Sequence, residues 1–305
     1  MTIRKCYLSI NQSGISANLD LLKVAIHSCY SYARLQPILL YTGDPVPELE
    51  ILERLGATIV HHQVSFEQEL KIGYGDRYRK FLGHWLRVDI PLIEQEDDYV
   101  LYADCDVLFC KEISFADYPT YIAVAPEFSK DNWSYFNSGV MIINVANMRA
   151  VHAEFREAIR HRLTNNFQTP PHDQKSFNDF FGDKYDRLPL EMNWKPYWGV
   201  NEAASMVHFH GLKPAVAIRA MTIENYQLTD NIRRLWEKNK AAYIDYCQLY
   251  TDVLEEANAA ADAQVQQVAA QCAAALSSRP VRQTKPAKTG TAIPMMKRIA
   301  ADIIQ

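Results

Sequence analysis

Two carboxylates, Asp104 and Asp106, follow a run of strand-forming residues, Tyr99–Ala103. Because open α/β sheets bind ligands at the carboxyl ends of their strands, the end of the apolar run at Ala103 predicts that the pair lies at such an end. Neighbouring anions there repel each other and need a cation. Carboxylate oxygens suit Mg²⁺ or Mn²⁺, which commonly take substrate phosphates as further ligands. The pair therefore predicts a metal-bound nucleotide, although most isolated Asp-x-Asp triplets are solvated turns.

A second segment with suitable chemistry is Val-His-Phe-His-Gly-Leu-Lys-Pro at residues 207–214. A neutral imidazole from His208 or His210 could complete the shell of a cation held by the carboxylates. The ammonium group of Lys213 can neutralise a phosphate, and Gly211 lets the backbone approach a ligand closely. Alone, such histidines more often belong to a core or a surface. The segment therefore predicts a metal site only in combination with the carboxylate pair.

Two further pairs of polar residues could bind a sugar. Asn137 and Ser138 precede an apolar strand expected at 140–144, where side chains of this kind can hydrogen-bond sugar hydroxyls, although an ordinary turn has the same composition. Asp173 and Gln174 lie in the first turn of an expected helix. Asp173 is there either a sugar ligand or a plain N-cap.

The first half of the chain alternates strands and helices, which would position these residues at one edge of a sheet. Strands are expected at 5–10, 37–41 and 57–60, with helices at 16–32 and 47–55 between them. This repetition favours an α/β fold with a mainly parallel, nucleotide-binding sheet. Further strands are expected at 121–125 and 206–210, and a helix at 148–163.

The composition is that of an ordinary globular protein. Of 305 residues, 48% are apolar and 22% charged, and the net charge of −4 gives no reason to expect nucleic acid as a partner. The six cysteines show no Cys-x-x-Cys spacing, which predicts reduced thiols. With no apolar signal-peptide core or long apolar run in the sequence, we expect a cytoplasmic protein.

Beyond about Leu228 the chain changes character. Residues 231–275 are almost free of Gly and Pro, which predicts long helices, whereas 277–294 has the composition of a flexible linker. The predicted domains are 1–227, a helical extension 228–276 and a basic tail 277–305. From Arg279 onward six basic residues and one acidic residue give a net charge of +5 (6 − 1) beside an apolar segment, 295–304. This tail either contacts anionic lipid at the inner face of the cell membrane or stays solvated.

Together and in this order, the four segments resemble the retaining glycosyltransferases of family 8, the group that contains glycogenin and the bacterial lipooligosaccharide galactosyltransferases. The family's strand-Asp-x-Asp matches 102–107, its Phe-Asn-(Ala/Ser)-Gly-Val matches 136–140, its Asp-Gln pair matches 173–174 and its His-x-x-Gly-(x)-x-Lys-Pro matches 208–214. Arg87 matches the arginine that precedes the Asp-x-Asp strand. Three positions depart from the pattern: the Gly-to-Lys spacing is one residue short, Ala215 replaces a frequent Trp, and His210 is an additional imidazole.

The resemblance, which covers roughly residues 4–215, implies a GT-A catalytic domain. It implies a nucleotide-sugar donor, most often UDP-hexose, and a glycan, lipid-linked or other hydroxyl acceptor. By register, Asp104, Asp106 and His208 would bind Mn²⁺ or Mg²⁺. The donor would further contact Arg87, Asn137, Ser138, Gly211 and Lys213, while Asp173 and Gln174 would hold the sugar at the reacting centre.

The resemblance also implies retention of configuration, for which two mechanisms exist. No glycosidase-like pair of catalytic carboxylates is evident, and the amide oxygen of Gln174 is a poor nucleophile. We therefore expect a front-face mechanism, in which the leaving phosphate takes the acceptor's proton, rather than a covalent intermediate on Asp173.

Some residues remain open to two interpretations. Asn11 and the segment 76–80 are candidate nucleotide contacts, although Asn11 also suits a turn and 71–80 suits a solvated charged loop. The aromatic run 191–198 could stack an acceptor sugar or belong to the core. Two other functions compete with glycosyl transfer: a catalytically silent scaffold that binds a sugar or partner, and a nucleotidyltransferase, for which 10–14 is a poor phosphate-binding loop.

Overall fold

The computed structural model describes residues 3–165 and 172–277. The basic tail from Arg279 and its apolar segment 295–304, for which we predicted a membrane contact or solvation, lie outside the described residues. The described residues fall into two compact units, which divide between Gln264 and Val265.

Strands and helices are labelled in chain order. The strands are β1 (Lys5–Asn11), β2 (Gln36–Thr42), β3 (Thr58–His61), β4 (Tyr99–Ala103), β5 (Val107–Phe109), β6 (Ile122–Pro126), β7 (Phe136–Asn144), β8 (Asp186–Arg187) and β9 (Met206–His208). The α-helices are α1 (Gln12–Ile15), α2 (Leu19–Ser31), α3 (Pro47–Arg54), α4 (Glu67–Tyr74), α5 (Leu82–Trp85), α6 (Ile90–Ile93), α7 (Val145–Asn165), α8 (Asp173–Phe181), α9 (Pro214–Thr222), α10 (Asp230–Lys238) and α11 (Lys240–Ser277). Short 3₁₀ helices cover Ser16–Asn18, Gly75–Lys80, Leu86–Asp89, Leu190–Asn193 and Pro196–Trp198.

Seven strands form one sheet in the order β3-β2-β1-β4-β7-β6-β8. The pairs β3–β2, β2–β1, β1–β4 and β6–β8 are parallel, whereas β7 runs antiparallel to both of its neighbours. The predicted α/β class with a mainly parallel central sheet is thus confirmed. Because β7 is antiparallel to β4, Ala103 at the end of β4 faces Val140 in the middle of β7, and the first residues of β7 extend past the end of β4.

Both faces of the sheet are buried, which explains why β4 is an unbroken apolar run. Leu101 and Ala103 pack on the face covered by α2, and Val100 and Tyr102 on the face covered by α7. Side chains alternate between the faces of a strand, so the carboxylate that follows Ala103 lies on the side of Tyr102.

The elements predicted for the first 61 residues are present within three residues of the predicted bounds. Two strands differ further along. β7 begins at Phe136 rather than at 140, because Phe136 and Asn137 pair with the end of β6 beyond a bulge at Val124. Asn137 and Ser138 therefore lie inside the strand, and the prediction that they precede it was wrong. The last strand ends at His208 rather than at 210, because the His210 N–H donates to the His208 carbonyl in a tight turn.

The last strand, β9, pairs with β5 in a separate two-stranded sheet. Besides the apolar clusters on the two faces of the large sheet, another apolar cluster joins β5 and β9 to the C-terminal helices. Leu108, Val207 and Tyr243 are among its buried members. The helices predicted for 231–275 are present as α10 and α11. None of the described helices is both long and apolar enough to cross a bilayer.

A buried carboxylate, Asp89, ties the segment after β3 to helix α7. It accepts hydrogen bonds from the N–H and hydroxyl of Ser65 (2.7 and 2.8 Å) and contacts Nε2 of His62 (2.9 Å) and of His152 (3.1 Å). Burial raises the pKa of this carboxyl, but its hydrogen bonds outweigh burial and hold the pKa of Asp89 well below its ordinary value. The ionised carboxylate is therefore part of the fold.

Replacing Asp89 by Asn should lower the free energy of unfolding by about 3–5 kcal/mol, because one partner of a buried charged network is lost. A depressed carboxyl pKa stabilises the fold above its ordinary value of 3.8. The wild-type advantage should therefore persist at neutral pH and shrink as the pH falls below about 4. Urea unfolding at pH 7 and pH 3 measures both effects. The exposed Asp183→Asn is the control, and an Asp89→Asn protein as stable as wild type at pH 7 would contradict this role.

Candidate active site

Asp104, Asp106 and His208 converge at the C-terminal end of β4. One ligand atom from each lies within 4.8 Å of those of the other two. Among the described residues, no other group of three such side chains is close enough to share an ion. Asp104 directly follows β4, its N–H donates to the Gly139 carbonyl (2.7 Å), and its side chain is 29% exposed. Asp106 and His208 are buried.

The pairing of β5 with β9 brings His208 to the carboxylates, because Val107 faces His208 in that register. Nε2 of His208 lies 3.3 Å from Oδ1 of Asp106. His210 lies outside this group: Nε2 contacts Glu127 Oε1 (3.1 Å) and Nδ1 contacts Tyr197 Oη (3.0 Å). Of the two histidines that the sequence left open, the structure places His208 beside the carboxylates.

The residues fit a divalent cation in shape as well as in chemistry. A Cβ atom added to Gly139 would lie 2.4 Å from Cε1 of His208 and 2.6 Å from Oδ2 of Asp104, closer than atoms can approach. Glycine at this position of β7 therefore leaves the space that the side chains of His208 and Asp104 need. Two carboxylates and one imidazole form a donor set that suits Mn²⁺ or Mg²⁺.

The electrostatics keep Asp106 ionised and His208 neutral. Burial raises the pKa of Asp106, but the charge and hydrogen bond of the Lys213 ammonium, which donates to Oδ2, oppose burial, and the pKa of Asp106 lies far below its ordinary value. Burial lowers the pKa of His208, and the attraction of Asp106 offsets only part of that effect. An ionised carboxylate and a neutral imidazole are the forms that bind metals.

Arg87 links the carboxylates of two elements. Its guanidinium is 4% exposed and lies 3.0 Å from Oδ1 of Asp104 and 3.1 Å from Oδ2 of Asp173. Nη1 donates to the carbonyl (2.7 Å) and hydroxyl (3.3 Å) of Ser138. The group also lies over the Tyr102 ring, whose hydroxyl donates to Asp104 (2.8 Å). The predicted donor-site residues Arg87, Asp173 and Ser138 are thus brought together with the carboxylate pair.

Asn137 and Gln174 form a hydrogen-bonded layer beside this cluster. Gln174 Oε1 accepts hydrogen bonds from Asn137 Nδ2 (3.1 Å) and from the Ser138 N–H (3.0 Å). Asp173, immediately before it, is the first residue of α8 and not its N-cap, which is His172. Oδ2 of Asp173 is buried and is paired with Nε of Arg87 at 3.1 Å. A carboxylate has further acceptor sites on its two oxygens, which a ligand hydroxyl can use.

The sequence analysis missed Glu127, which follows β6 at the same edge of the sheet. Glu127 is buried, and its Oε2 accepts a hydrogen bond from Asn137 Nδ2 (2.8 Å). Burial raises its pKa, but the contacts with His210 and Asn137 lower it to about 2. The signal was a carboxylate directly after an apolar strand, the same signal that marked Asp104.

A cavity of about 740 Å³ lies at the C-terminal ends of β1, β2 and β3. Asn11, Thr42 and His61 are among the strand residues that line it, and Tyr78 and Arg79 line it from the segment 76–80. Asn11 donates to Ser13 Oγ (2.9 Å) and to the Arg79 carbonyl, so it joins the end of β1 to that segment. Both regions that the sequence offered as nucleotide contacts therefore border one cavity.

Two other predicted features have structural roles. The φ angle of Gly211 is +78°, and an added Cβ would lie 2.5 Å from Leu235 of α10, so both the backbone conformation and the packing of that helix require glycine here. In the aromatic run 191–198, Trp194 and Tyr197 are buried and Trp198 is partly buried. Most of this run therefore belongs to the core.

Comparison with known proteins identifies the fold. No protein-family model and no curated protein matches the sequence. Among solved structures, the glycosyltransferase GlyE of Streptococcus pneumoniae TIGR4 matches with a TM-score of 0.51 at 17% identity, over 84% of this chain and 63% of that one. This chain therefore spans less than two thirds of that GlyE structure.

Two further structures match over most of their own length. The galactosyltransferase LgtC, in complex with donor and acceptor sugar analogs, matches with a TM-score of 0.55 at 12% identity, over 83% of this chain and 95% of that one. Mouse xyloside xylosyltransferase 1 matches with a TM-score of 0.51 at 15% identity, over 70% and 99%. The chain has the GT-A fold of these proteins, as the resemblance to family 8 implied.

Gly139→Ala should weaken Mn²⁺ binding at least about tenfold, because the new methyl group displaces His208 and Asp104. Isothermal titration calorimetry with MnCl₂ measures the change. The control is Gly75→Ala, which adds a methyl group with nothing within 4 Å but at an unfavourable φ of +57°. That variant should lose stability without losing Mn²⁺ affinity. Unchanged affinity in the Gly139→Ala protein would contradict the assigned position of the ion.

Proposed function

We propose that the chain is a metal-dependent glycosyltransferase that moves a hexose from a nucleotide sugar, most simply a UDP-hexose, to a hydroxyl acceptor with retention of configuration. The observation that carries the proposal is the Asp104/Asp106/His208 group at the central strand end. The named activities of the structural neighbours support glycosyl transfer, and no observation favours a silent scaffold or a nucleotidyltransferase.

The nucleotide would occupy the cavity at the ends of β1–β3. Its volume of about 740 Å³ is in the range of small-molecule sites, and it is lined by rings and by hydrogen-bonding side chains. β1 is the neighbour of β4, and adjacent strands lie about 4.8 Å apart. Ser9 of β1 contacts the Tyr102 hydroxyl (3.1 Å), which in turn donates to Asp104. A nucleoside in this cavity would therefore direct its phosphates towards the carboxylate pair.

The diphosphate would lie against the positive charges around Asp104 and Asp106. Mn²⁺ or Mg²⁺ bound there supplies Lewis-acid stabilisation of the charge that develops on the diphosphate. Lys213 adds a positive charge beside Asp106, and its side chain is 41% exposed, so it can reach a phosphate oxygen. Arg87 is committed to Asp104 and Asp173, so it supports the site mainly by holding these carboxylates in place.

The hexose would contact the layer formed by Asp173, Asn137 and Gln174. The Asp173 carboxylate, which Arg87 holds through Oδ2, has further acceptor sites for a sugar hydroxyl. The Gln174 amide oxygen already accepts two hydrogen bonds within the protein, which makes it still less suited to attack the sugar. This supports the front-face mechanism, in which the leaving phosphate takes the acceptor's proton, over a covalent intermediate.

The acceptor in this proposal is a glycan or a lipid-linked glycan. The LgtC structure contains an acceptor sugar analog, which supports a sugar hydroxyl as acceptor here. A cytoplasmic location and contact of the basic tail with the inner face of the membrane remain predictions. Liposome flotation of the chain with and without residues 279–305 tests the contact, and equal flotation would contradict it.

With MnCl₂ and a suitable UDP-hexose, the protein should release UDP, and Asp106→Asn should reduce the rate at least about 100-fold. Screening UDP-glucose, UDP-galactose and UDP-N-acetylglucosamine identifies the donor. Proton NMR of the glycoside formed with a sugar acceptor measures the anomeric configuration, which should be that of the donor.

Cys105→Ser is the matched control for the UDP-release assay, since burial raises the Cys105 pKa to about 12 and keeps its thiol neutral between the two carboxylates. This variant should retain activity. Release of pyrophosphate from a nucleoside triphosphate would point instead to a nucleotidyltransferase. Nucleotide-sugar binding without turnover with any acceptor would point to a silent scaffold.

Ser13→Trp should weaken UDP binding about tenfold or more, because Ser13 lines the cavity and an indole would fill part of it. Mn²⁺ affinity measured without nucleotide should stay unchanged, since Ser13 is not a metal ligand. The control Ser114→Trp places an indole at an exposed position that does not line the cavity. Calorimetry with UDP and Mn²⁺ measures both affinities, and unaltered UDP binding by Ser13→Trp would exclude this cavity as the nucleotide site.

A further inference from the structure

A chain of hydrogen bonds beside the carboxylates fixes the orientation of Asn137. Its Oδ1 accepts from the Gly139 backbone N–H (3.1 Å), a group that can only donate. Its Nδ2 donates to Glu127 Oε2 (2.8 Å), and the low pKa of Glu127 means that this carboxylate can only accept. Because one partner can only donate and the other can only accept, the positions of the oxygen and the nitrogen of the Asn137 amide are fixed.

Asn193 extends this chain to His208. Its Nδ2 donates to Asn137 Oδ1 (3.1 Å), so its Oδ1 is the atom that faces His208 Nδ1, at 2.9 Å. Asn193 is fully buried at the end of a 3₁₀ helix. The next residue, Trp194, bridges to Val207, and its carbonyl accepts from the His208 N–H (2.7 Å). The two side chains are thus held side by side by their backbones.

The consequence concerns the tautomer of His208. Because Asn193 Oδ1 can only accept, the proton of the neutral imidazole must be on Nδ1. Nε2 is then the ring nitrogen that faces the carboxylates, 3.3 Å from Oδ1 of Asp106. A cation bound beside these two atoms could take both as ligands.

We propose that Asn193 is a positioning residue that fixes His208 as the Nδ1–H tautomer, with Nε2 free to bind the metal ion. The inference rests on the metal site of the proposed function but not on the identity of the donor or the reaction. Metal-binding histidines generally donate their other ring N–H to such a partner, and loss of the partner typically costs 10–100-fold in metal affinity.

The tautomer can be measured without metal, by long-range ¹H–¹⁵N NMR of the metal-free protein labelled at histidine. Wild-type His208 should show the Nδ1–H form alone. Asn193→Ala should give a mixture or the Nε2–H form, since the acceptor is lost. Asn193→Asp keeps an acceptor for Nδ1–H but loses the donor to Asn137, so it should retain the tautomer while losing stability.

Mn²⁺ affinity of the same proteins gives the second measurement. Asn193→Ala should bind Mn²⁺ about 10–100-fold more weakly, and Asn193→Asp should stay much closer to wild type. The control is Asn144→Ala, which removes another buried amide, one that donates to the Pro119 carbonyl (3.1 Å). It should lose stability without changing His208 or Mn²⁺ binding. If the loss of Mn²⁺ affinity in these three variants follows their loss of stability, and does not depend on whether residue 193 offers an acceptor to His208, the proposal is overturned.

The remaining outcomes are also decisive. An Nε2–H tautomer in the metal-free wild type, or wild-type Mn²⁺ affinity in Asn193→Ala, overturns the role of Asn193. Absence of Mn²⁺ binding by the wild type overturns both this role and the metal-dependent function. Asn193-dependent Mn²⁺ binding without turnover of any nucleotide sugar overturns the proposed function alone and leaves the role of Asn193 intact.

Discussion

The concentration of negative charge at the end of β4 is the constraint on which the rest of the site depends. Asp104, Asp106 and Asp173 lie within one cluster, and the last two are buried. Buried carboxylates remain ionised only where cations and hydrogen-bond donors compensate the loss of water. Arg87 contacts Asp104 and Asp173, and Lys213 contacts Asp106. Two protein cations against three carboxylates leave a local excess of negative charge, which is the condition that attracts a divalent ion.

The antiparallel strand β7 is what makes this cluster geometrically possible. A parallel neighbour of β4 would bring another C-terminal end, with its own loop, to this edge. Because β7 runs the other way, its first residues lie beside Asp104 within the strand, next to the bulge in its pairing with β6. Asn137 pairs with β6, the Ser138 backbone bonds to Gln174 and Arg87, and the Gly139 carbonyl accepts from the Asp104 N–H. The Asn137 amide donates and accepts hydrogen bonds, the Ser138 carbonyl accepts one, and Gly139 leaves space. A rigid strand, in place of a loop, defines one wall of the site.

Much of this arrangement could be predicted from the sequence because its signals are local. The alternation of strands and helices, the position of Asp104 after an apolar run and the His-x-His-Gly segment each depend on neighbouring residues. Asn193 could not be found in this way, since one asparagine in an aromatic run has no special spacing and gains its role from the bridge between Trp194 and Val207. The start of β7 was misplaced for a similar reason: Phe136 and Asn137 are strand because β6 pairs with them across a bulge.

The contact between Gly211 and Leu235 has a consequence for the smallest part of the chain that can form a stable site. Leu235 of α10 occupies the space above the backbone of Gly211, between His208 and Lys213. The buried Tyr243 and Tyr250 of α11 belong to the same apolar cluster as Phe209. Covering a large side chain of this kind is worth about 1.5–3 kcal/mol, so several such side chains together approach the whole stability of a typical domain. The helices up to about residue 264 are therefore structural components of the sugar-transfer site that we propose. A fragment that ended before them would expose Phe209, the residue that follows the metal ligand His208, to solvent.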